Sequence, residues 1–287
     1  MERESMEYDV VIVGGGPAGL SCAIKLAQLT HENPLSICLL EKGSEIGAHI
    51  LSGNVFQTTA LDELIPNWKE KEAPLLTPVK KDKIMFLTKS LGISIPSFFM
   101  PPMNNHGNYI ISLGNLCRWL AREAESLGIE IFPGFSASEL IYNDEKVVGI
   151  RTGDMGIDEH GNQKDSYEPG IDILAKHIIL SEGCRGHLGK EVISKYNLDD
   201  NKDPQHYGIG FKEIWKIKPE NHEEGLVMHT NGWPSPSDTP AGSYLYHGSN
   251  HEVYLGYVVP LDYKNPYLSP FDEFQTWKTH KLVKKVL

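Results

Sequence analysis

The stretch Asp9-Val10-Val11-Ile12-Val13-Gly14-Gly15-Gly16-Pro17-Ala18-Gly19 decides the fold. Val10–Val13 is a short, continuously apolar, β-branched run, the pattern of a strand buried on both faces in a parallel sheet. A glycine cluster follows at once. Pro17 then predicts the first turn of a helix, where its fixed φ is suited and its missing N–H is not needed. The helix is expected to run to about Leu29, with Leu20, Ala23, Ile24, Ala27 and Leu29 facing inward. Leu35–Leu40 reads as the second strand of a βαβ unit.

Within this unit Gly14, Gly16 and Gly19 give the GxGxxG spacing, and Pro17 and Ala18 complete its turn. Glu41 ends the second strand, 22 residues beyond Gly19 (41 − 19). The glycines allow a tight turn and close approach of a pyrophosphate. The helix N-terminus offers N–H groups and a positive dipole end, and the carboxylate takes ribose hydroxyls. An acid at Glu41 would repel a 2′-phosphate, so NADP is not expected there.

Glu41-Lys42-Gly43 leads into Gly47-Ala48-His49-Ile50-Leu51-Ser52-Gly53. NAD enzymes place a crossover helix after the second strand. Two-dinucleotide-binding flavoproteins instead run a loop of small residues along the flavin's sugar chain. A plain surface loop is the alternative. Lys42, Gly47, Ala48, His49, Leu51, Ser52 and Gly53 join the candidate FAD contacts, His49 as a loop residue meeting phosphate or solvent and not as an acid–base group. A third candidate is Ile178–Gly186, a strand ending in Glu182-Gly183, followed by Cys184 and Arg185. It resembles the Asp-Gly turn that backs the cofactor in flavin hydroxylases and reductases. With Glu182 in place of the usual Asp, the Gly183 backbone is the firmer contact, and Cys184 reads as a packed residue.

Between these segments, Leu113, Leu116, Cys117, Leu120, Ala121, Ala124 and Leu127 recur at helical spacing and Gly128 predicts the stop. Ile129–Phe132 reads as a strand. Ser138–Tyr142 and Val147–Thr152 read as a hairpin, Gly153–Gly170 as a loop or long hairpin arm, and Ile171–Leu174 with Lys176–Ser181 as the rest of an antiparallel meander. From Tyr207 onward Ile209, Phe211 and Trp215, then Leu226–Thr230, Ser243–His247 and Val253–Val259, predict an antiparallel sheet. Ser269 as N-cap, Pro270 and Asp272 start a helix expected to continue to Leu287. Ile93–Met103 is strongly apolar but carries Pro96, Pro101 and Pro102, which exclude a central strand or helix interior. It is either a loop tucked over the core or an exposed apolar patch for a bilayer or a greasy ligand.

Composition sets the outer bounds. The 287 residues are 40% hydrophobic and 23% charged, which excludes dominant disorder, a fibre or a disulfide scaffold. The net charge of −11 is spread over both halves, so capture of nucleic acid is not expected. Cys22, Cys38, Cys117 and Cys184 form no CxxC pair, no metal site is assigned, and spaced thiols fit a reducing compartment. The acidic N-terminus has neither the form of a secretion signal nor that of a transit peptide, and no apolar run approaches the length of a membrane span. No GxSxG, HExxH or P-loop occurs and no side chain is assigned as catalytic, so the chemistry would come from a flavin.

Longer stretches carry a family resemblance. Ile46–Gly53 (IGAHILSG), Asn104–Ile110 (NNHGNYI), Glu182–Leu188 (EGCRGHL), Tyr207–Gly210 (YGIG) and Leu261–Phe271 (LDYKNPYLSPF) resemble the electron transfer flavoprotein–ubiquinone oxidoreductases. The resemblance covers essentially the whole chain. It implies an α/β, two-dinucleotide-binding (Rossmann-like) FAD fold with an inserted antiparallel meander, plus an antiparallel-sheet quinone-binding domain. On it, 1–90 and 113–206 form the FAD domain, 91–112 an apolar membrane- or quinone-facing segment, and 207–287 an incomplete ubiquinone-binding domain.

The family passes electrons from reduced electron transfer flavoprotein through a [4Fe–4S] cluster and FAD to ubiquinone. It does so on the cytoplasmic face of a bacterial inner membrane or the matrix face of the mitochondrial one. The resemblance places the cluster ligands beyond Leu287, so the chain is expected to be an N-terminal fragment that is inactive alone. It also places a quinone-binding Gly-Gly pair at Ala241-Gly242, where the extra methyl narrows the pocket. The implied partners are electron transfer flavoprotein, ubiquinone and a membrane surface met near 93–103. Three other readings share the fold: a geranylgeranyl-reductase-like or aromatic-hydroxylase-like monooxygenase, a nitrogen-fixation flavoprotein, and a flavin-free lipid-binding module like the Rab GDP-dissociation inhibitors.

Overall fold

The computed structural model describes residues 3–51 and 53–287. In chain order the elements begin with β1 (Ser5–Val13), α1 (Pro17–Leu29), β2 (Ile37–Glu41), β3 (Asn54–Phe56), α2 (Thr59–Leu64), β4 (Thr77–Pro78), β5 (Lys81–Leu87), β6 (Gly92–Ile95) and β7 (Tyr109–Ile111). There follow α3 (Leu113–Ser126), β8 (Glu130–Pro133), β9 (Ala137–Asn143), β10 (Lys146–Thr152), β11 (Met155–Ile157), β12 (Gln163–Glu168), β13 (Asp172–Leu180) and α4 (His187–Tyr196). The last are β14 (Gly208–Lys216), β15 (Leu226–Gly232), β16 (Gly242–His247), β17 (Glu252–Pro260), α5 (Pro270–Lys278) and α6 (Lys281–Lys284). They gather into two units, one made of residues up to Ile50 with Gly114–Lys202, the other of Leu51–Leu113 with Asp203–Leu287.

The first unit is built on a sheet in the order β8-β2-β1-β13-β10-β9. The four strands β8, β2, β1 and β13 run parallel; β10 is antiparallel to β13, and β9 antiparallel to β10. Val11 and Ile12 are fully buried, and Val13 is flanked in register by Leu40 and Leu180. The apolar run therefore sits mid-sheet, as its lack of alternation requires. Helix α1 buries Leu20, Ala23 and Ile24. Leu29, expected inside, is 70% exposed: nine positions on from Leu20, at about 100° per residue, it points the opposite way. Leu35 and Leu127 are likewise exposed, the former before β2 begins and the latter after α3 ends, where Gly128 takes φ +85°.

The β9–β10 hairpin forms as expected, and Gly153–Gly170 is a hairpin arm of β11 and β12. The two strands expected over 171–181 are one, β13. It runs parallel to β1 throughout, while its first residues also pair antiparallel with β10, and this double pairing imitates two separate strands in the sequence.

The second unit has a mixed sheet in the order β14-β17-β16-β15-β5-β6. The expected antiparallel pattern holds except for β15, which runs parallel to β5. One face packs Met228, Leu245, Leu255 and Tyr257 against Phe274, Trp277 and Val283 of α5 and α6. Ser269 caps α5 by accepting the Asp272 N–H at 3.3 Å, but the helix does not reach Leu287. His280 interrupts it: its Nε2 lies 3.1 Å from the Thr88 carbonyl, and its Nδ1 accepts the Leu282 N–H, starting α6. A small sheet, β3-β7-β4, belongs to the same unit.

The proline-rich segment forms edge strand β6 and then 3-10 turns over Ser97–Phe99 and Pro101–Met103. Leu91, Ile93, Phe98 and Phe99 are 67%, 56%, 72% and 66% exposed, so it is an exposed apolar patch and not a tucked loop. No helix among the described residues is long and apolar enough to cross a membrane.

Candidate functional site

The carboxyl ends of β1, β2 and β13 open into a cleft of about 650 Å³ in the first unit. Such a cleft at the strand ends of a doubly wound sheet is where ligands of this architecture bind. Gly14 turns the chain out of β1 with φ +109°, and a Cβ there would stand 2.4 Å from the Ser181 carbonyl oxygen. Gly19 brings α1 against the turn; a Cβ at Gly19 would meet the Gly14 oxygen at 2.0 Å. At Gly16, by contrast, a Cβ would meet nothing within 4 Å, because that position faces open cleft. Gly16 is also the N-cap of α1: no side chain caps it and no acid lies in the first turn. The positive helix end is thus left available to an anion.

Glu41 lines the cleft beside this turn. Its Oε2 accepts the Gly15 N–H at 2.9 Å and its Oε1 the Gly43 N–H at 2.7 Å. These bonds fix the carboxylate at the strand tip, and each oxygen retains a further lone pair. Gly47 takes φ +84°, and a Cβ there would meet the Gly114 oxygen at 2.5 Å.

Of the residues singled out from sequence, Gly14, Gly16, Pro17, Ala18, Glu41, Lys42, Gly47, His49, Glu182 and Gly183 line this one cleft. Gly19 supports it from within α1. Ala48 is exposed without lining it. Leu51 and Gly53 belong to the second unit: Leu51 is 62% exposed, and Gly53, at φ +84°, would place a Cβ 2.5 Å from Tyr254. Ser52 lies outside the described residues. Ala241 is buried in the core of the second unit, and Gly242 begins β16 with open space where a Cβ would stand.

The carboxylate of Glu182 turns to its own chain. It accepts the Leu188 N–H at 3.3 Å and the Gly189 N–H at 2.8 Å, with His187 Nδ1 3.4 Å away, so it caps α4. Gly183, at φ +83° with no neighbour in its Cβ direction, is the open part of that turn. Sequence reasoning missed Phe135, Ser136, Ser181 and His187, which also line the cleft. Phe135 and Ser136 come from the connection between β8 and β9, Ser181 from just beyond β13 and His187 from the start of α4, so only the folded chain brings them together. The buried thiols offer no nucleophile: burial pushes both Cys38 and Cys117 up to about 12, with Glu130 adding at the first and Glu41 at the second.

Residues 207–287 match the family model described as ETF-QO, ubiquinone-binding, and residues 12–69 that of the NAD(P)-binding Rossmann-like domain. The chain is 56% identical to the electron transfer flavoprotein-ubiquinone oxidoreductase of Pseudomonas aeruginosa, covering 100% of this chain and 53% of that protein. It is 50% identical to the mitochondrial protein of that name from Homo sapiens, over 100% of this chain and 47% of that one. Among solved structures, a geranylgeranyl bacteriochlorophyll reductase-like protein from Thermoplasma acidophilum superposes with a TM-score of 0.68 at 17% identity, over 98% of this chain and 64% of that one. A flavin-dependent brominase gives 0.62 at 17% identity, over 95% and 61%. These structural likenesses establish the two-dinucleotide-binding fold. The chain spans about half the length of the curated relatives it matches, and over all of its own length it is a relative of the electron transfer flavoprotein–ubiquinone oxidoreductases.

Proposed function

We propose that this chain supplies the FAD- and quinone-binding portion of an oxidoreductase that passes electrons from reduced electron transfer flavoprotein to ubiquinone at a membrane surface. The observation that carries the reading is the uncapped, acid-free N-terminus of α1, facing a cleft whose rim is the fixed carboxylate of Glu41. A diphosphate suits the first and ribose hydroxyls the second. The residues fit FAD: Gly14 and Gly19 make the close turn, Gly16 and Gly183 leave backbone open to the cleft, and Lys42 and His49 stand at its edge. Bound FAD would supply an acceptor of electron pairs that can also pass electrons singly.

The chain's own part is binding and positioning. The α1 N–H groups hold the diphosphate, Glu41 orients the ribose, and Gly47, Ala48, Leu51, Ser52 and Gly53 are assigned to the rest of the cofactor. Ala241 and Gly242 are assigned to the quinone, the open space at Gly242 supporting that placement. The exposed Ile93, Phe98 and Phe99 side chains support peripheral contact with a bilayer, on the cytoplasmic face in a bacterium or the matrix face in a mitochondrion. The [4Fe–4S] cluster of the family is assigned to sequence outside this chain.

Fluorescence titration tests the cofactor assignment. Free FAD should be quenched to saturation at one equivalent per chain, and FAD-loaded full-length protein should reduce decylubiquinone when supplied with reduced electron transfer flavoprotein. A protein that leaves FAD fluorescence unchanged would remove the basis of the proposal.

A further inference from the structure

Two chain segments far apart in sequence line the cleft of the first unit: Phe135, Ser136 and Ala137, which enter β9, and Ser181, Glu182 and Gly183, which follow β13. His187, the first residue of α4, also lines the cleft and joins the two segments. Its Nε2 lies 3.2 Å from the Ser138 carbonyl oxygen on β9, and its Nδ1 lies 3.4 Å from Glu182 Oε1. The imidazole is at the surface, its side chain 62% exposed, whereas the Glu182 side chain is 11% exposed. That carboxylate is held in place by the Leu188 and Gly189 N–H groups, so one end of the bridge is fixed and the ring is the movable part.

Both atoms that His187 faces are acceptors, a carbonyl oxygen and a carboxylate oxygen. A neutral imidazole has one N–H, so it satisfies one of them and turns a lone pair towards the other. Only the doubly protonated ring donates to both. Histidine is the side chain whose charge changes between about pH 5 and 8, so the bridge is complete on the acid side of that range and half-made on the other. Among the neighbouring charges, Glu182 attracts a charged ring, while Arg185 in the same turn and Lys190 on α4 repel one. Glu139 on β9 and Glu191 on α4 are engaged elsewhere, by Arg151 Nη1 at 3.0 Å and by the Tyr142 hydroxyl at 2.8 Å.

We infer that His187 is a proton-controlled tie across the dinucleotide cleft. Protonated, it holds the β9 segment and the turn after β13 together and slows release of the cofactor. Neutral, it lets go of one of them and release quickens. The proton is exchanged with solvent, to which the ring is open. His187 is a positioning residue, acting through the two segments that line the cleft. The inference rests on the FAD reading given above and adds a regulation of that same site.

The test uses the FAD-loaded full-length protein and its His187→Gln, His187→Arg and His49→Gln variants. Release is started by dilution below the dissociation constant and followed as recovered FAD fluorescence, at about pH 5.5 and about pH 8.5. The parent should release FAD about fivefold faster at the higher pH, the upper range for a solvent-exposed pair. His187→Gln, with no charge to gain, should be fast at both. His187→Arg, charged and able to donate to both oxygens at either pH, should be slow at both. His49 lines the same cleft, so His49→Gln should keep the parent's pH dependence. A parent whose release differs by less than about twofold between the two pH values overturns the inference, as does a dependence that survives in His187→Gln and disappears in His49→Gln. A parent that holds no FAD at either pH counts against the functional reading instead. The tie is then decided without cofactor: amide hydrogen exchange over 135–138 and 181–189 must be slower in His187→Arg than in His187→Gln, and equal exchange in the two overturns it.

Discussion

Gly14 and Gly16 stand two residues apart and are glycine for opposite reasons. At Gly14 the backbone has φ +109° and a Cβ would press on the Ser181 carbonyl; at Gly16 nothing lies in the way. Gly14→Ala is therefore expected to destabilise the fold by about 3 kcal/mol or more, read as a lowered urea midpoint. Gly16→Ala should fold with a near-parental midpoint and lose FAD affinity, because its methyl projects into the cleft. Glu41→Ala leaves two buried-side N–H groups without their carboxylate and should cost about 2–3 kcal/mol, with a clear loss in FAD titration.

A second residue-scale expectation concerns pH. Burial foremost, and the neighbouring His222 next, depress the His247 imidazole to about 4, with Glu223 opposing; its Nδ1 accepts the Glu223 N–H. In the unfolded chain this group takes its proton near pH 6.5, so its contribution to stability is complete above that pH and is lost as pH falls from about 6.5 towards 4. Urea midpoints should fall across that window, and His247→Gln should flatten the fall. At this scale the sequence revealed what spacing encodes, the glycines and Glu41. It did not reveal the α4 cap at Glu182, because that depends on how the turn after β13 folds back onto the start of α4.

Among elements, the βαβ start was legible because an apolar run, a Gly-rich turn and a proline at the first helical position agree with one another. Strand β13 was not, since one strand serving a parallel neighbour and an antiparallel one has no single periodicity. The break between α5 and α6 was not either: Thr279 and His280 are not helix breakers, and a tertiary bond from His280 to Thr88 sets the boundary. The 93–103 segment was half legible, its prolines excluding a central strand while leaving its exposure open. With the Phe98 and Phe99 ring centres 3.8 Å apart, the rings tilted by 35° and both exposed, Phe98→Ser/Phe99→Ser is expected to cut co-sedimentation with phosphatidylcholine vesicles at least fivefold. The urea midpoint should stay within experimental scatter, since neither ring is in the core.

Over the whole chain, the net charge of −11 opposes approach to an anionic bilayer, so the membrane contact proposed for the apolar patch would work against charge rather than with it. Raising salt should strengthen co-sedimentation with phosphatidylglycerol vesicles, the reverse of what a polybasic anchor shows. The two units are interleaved in the chain: the first is left at Ile50, resumed at Gly114 and left again after Lys202. Strand β1 lies between β2 and β13, and its second neighbour is encoded some 160 residues later. On a ribosome adding about 5–20 residues each second, the apolar run Val10–Val13 of β1 waits on the order of ten seconds or more with one edge unpaired. A nascent chain arranged this way has a standing need for chaperone cover over Val10–Val13 until Leu180 has left the exit tunnel.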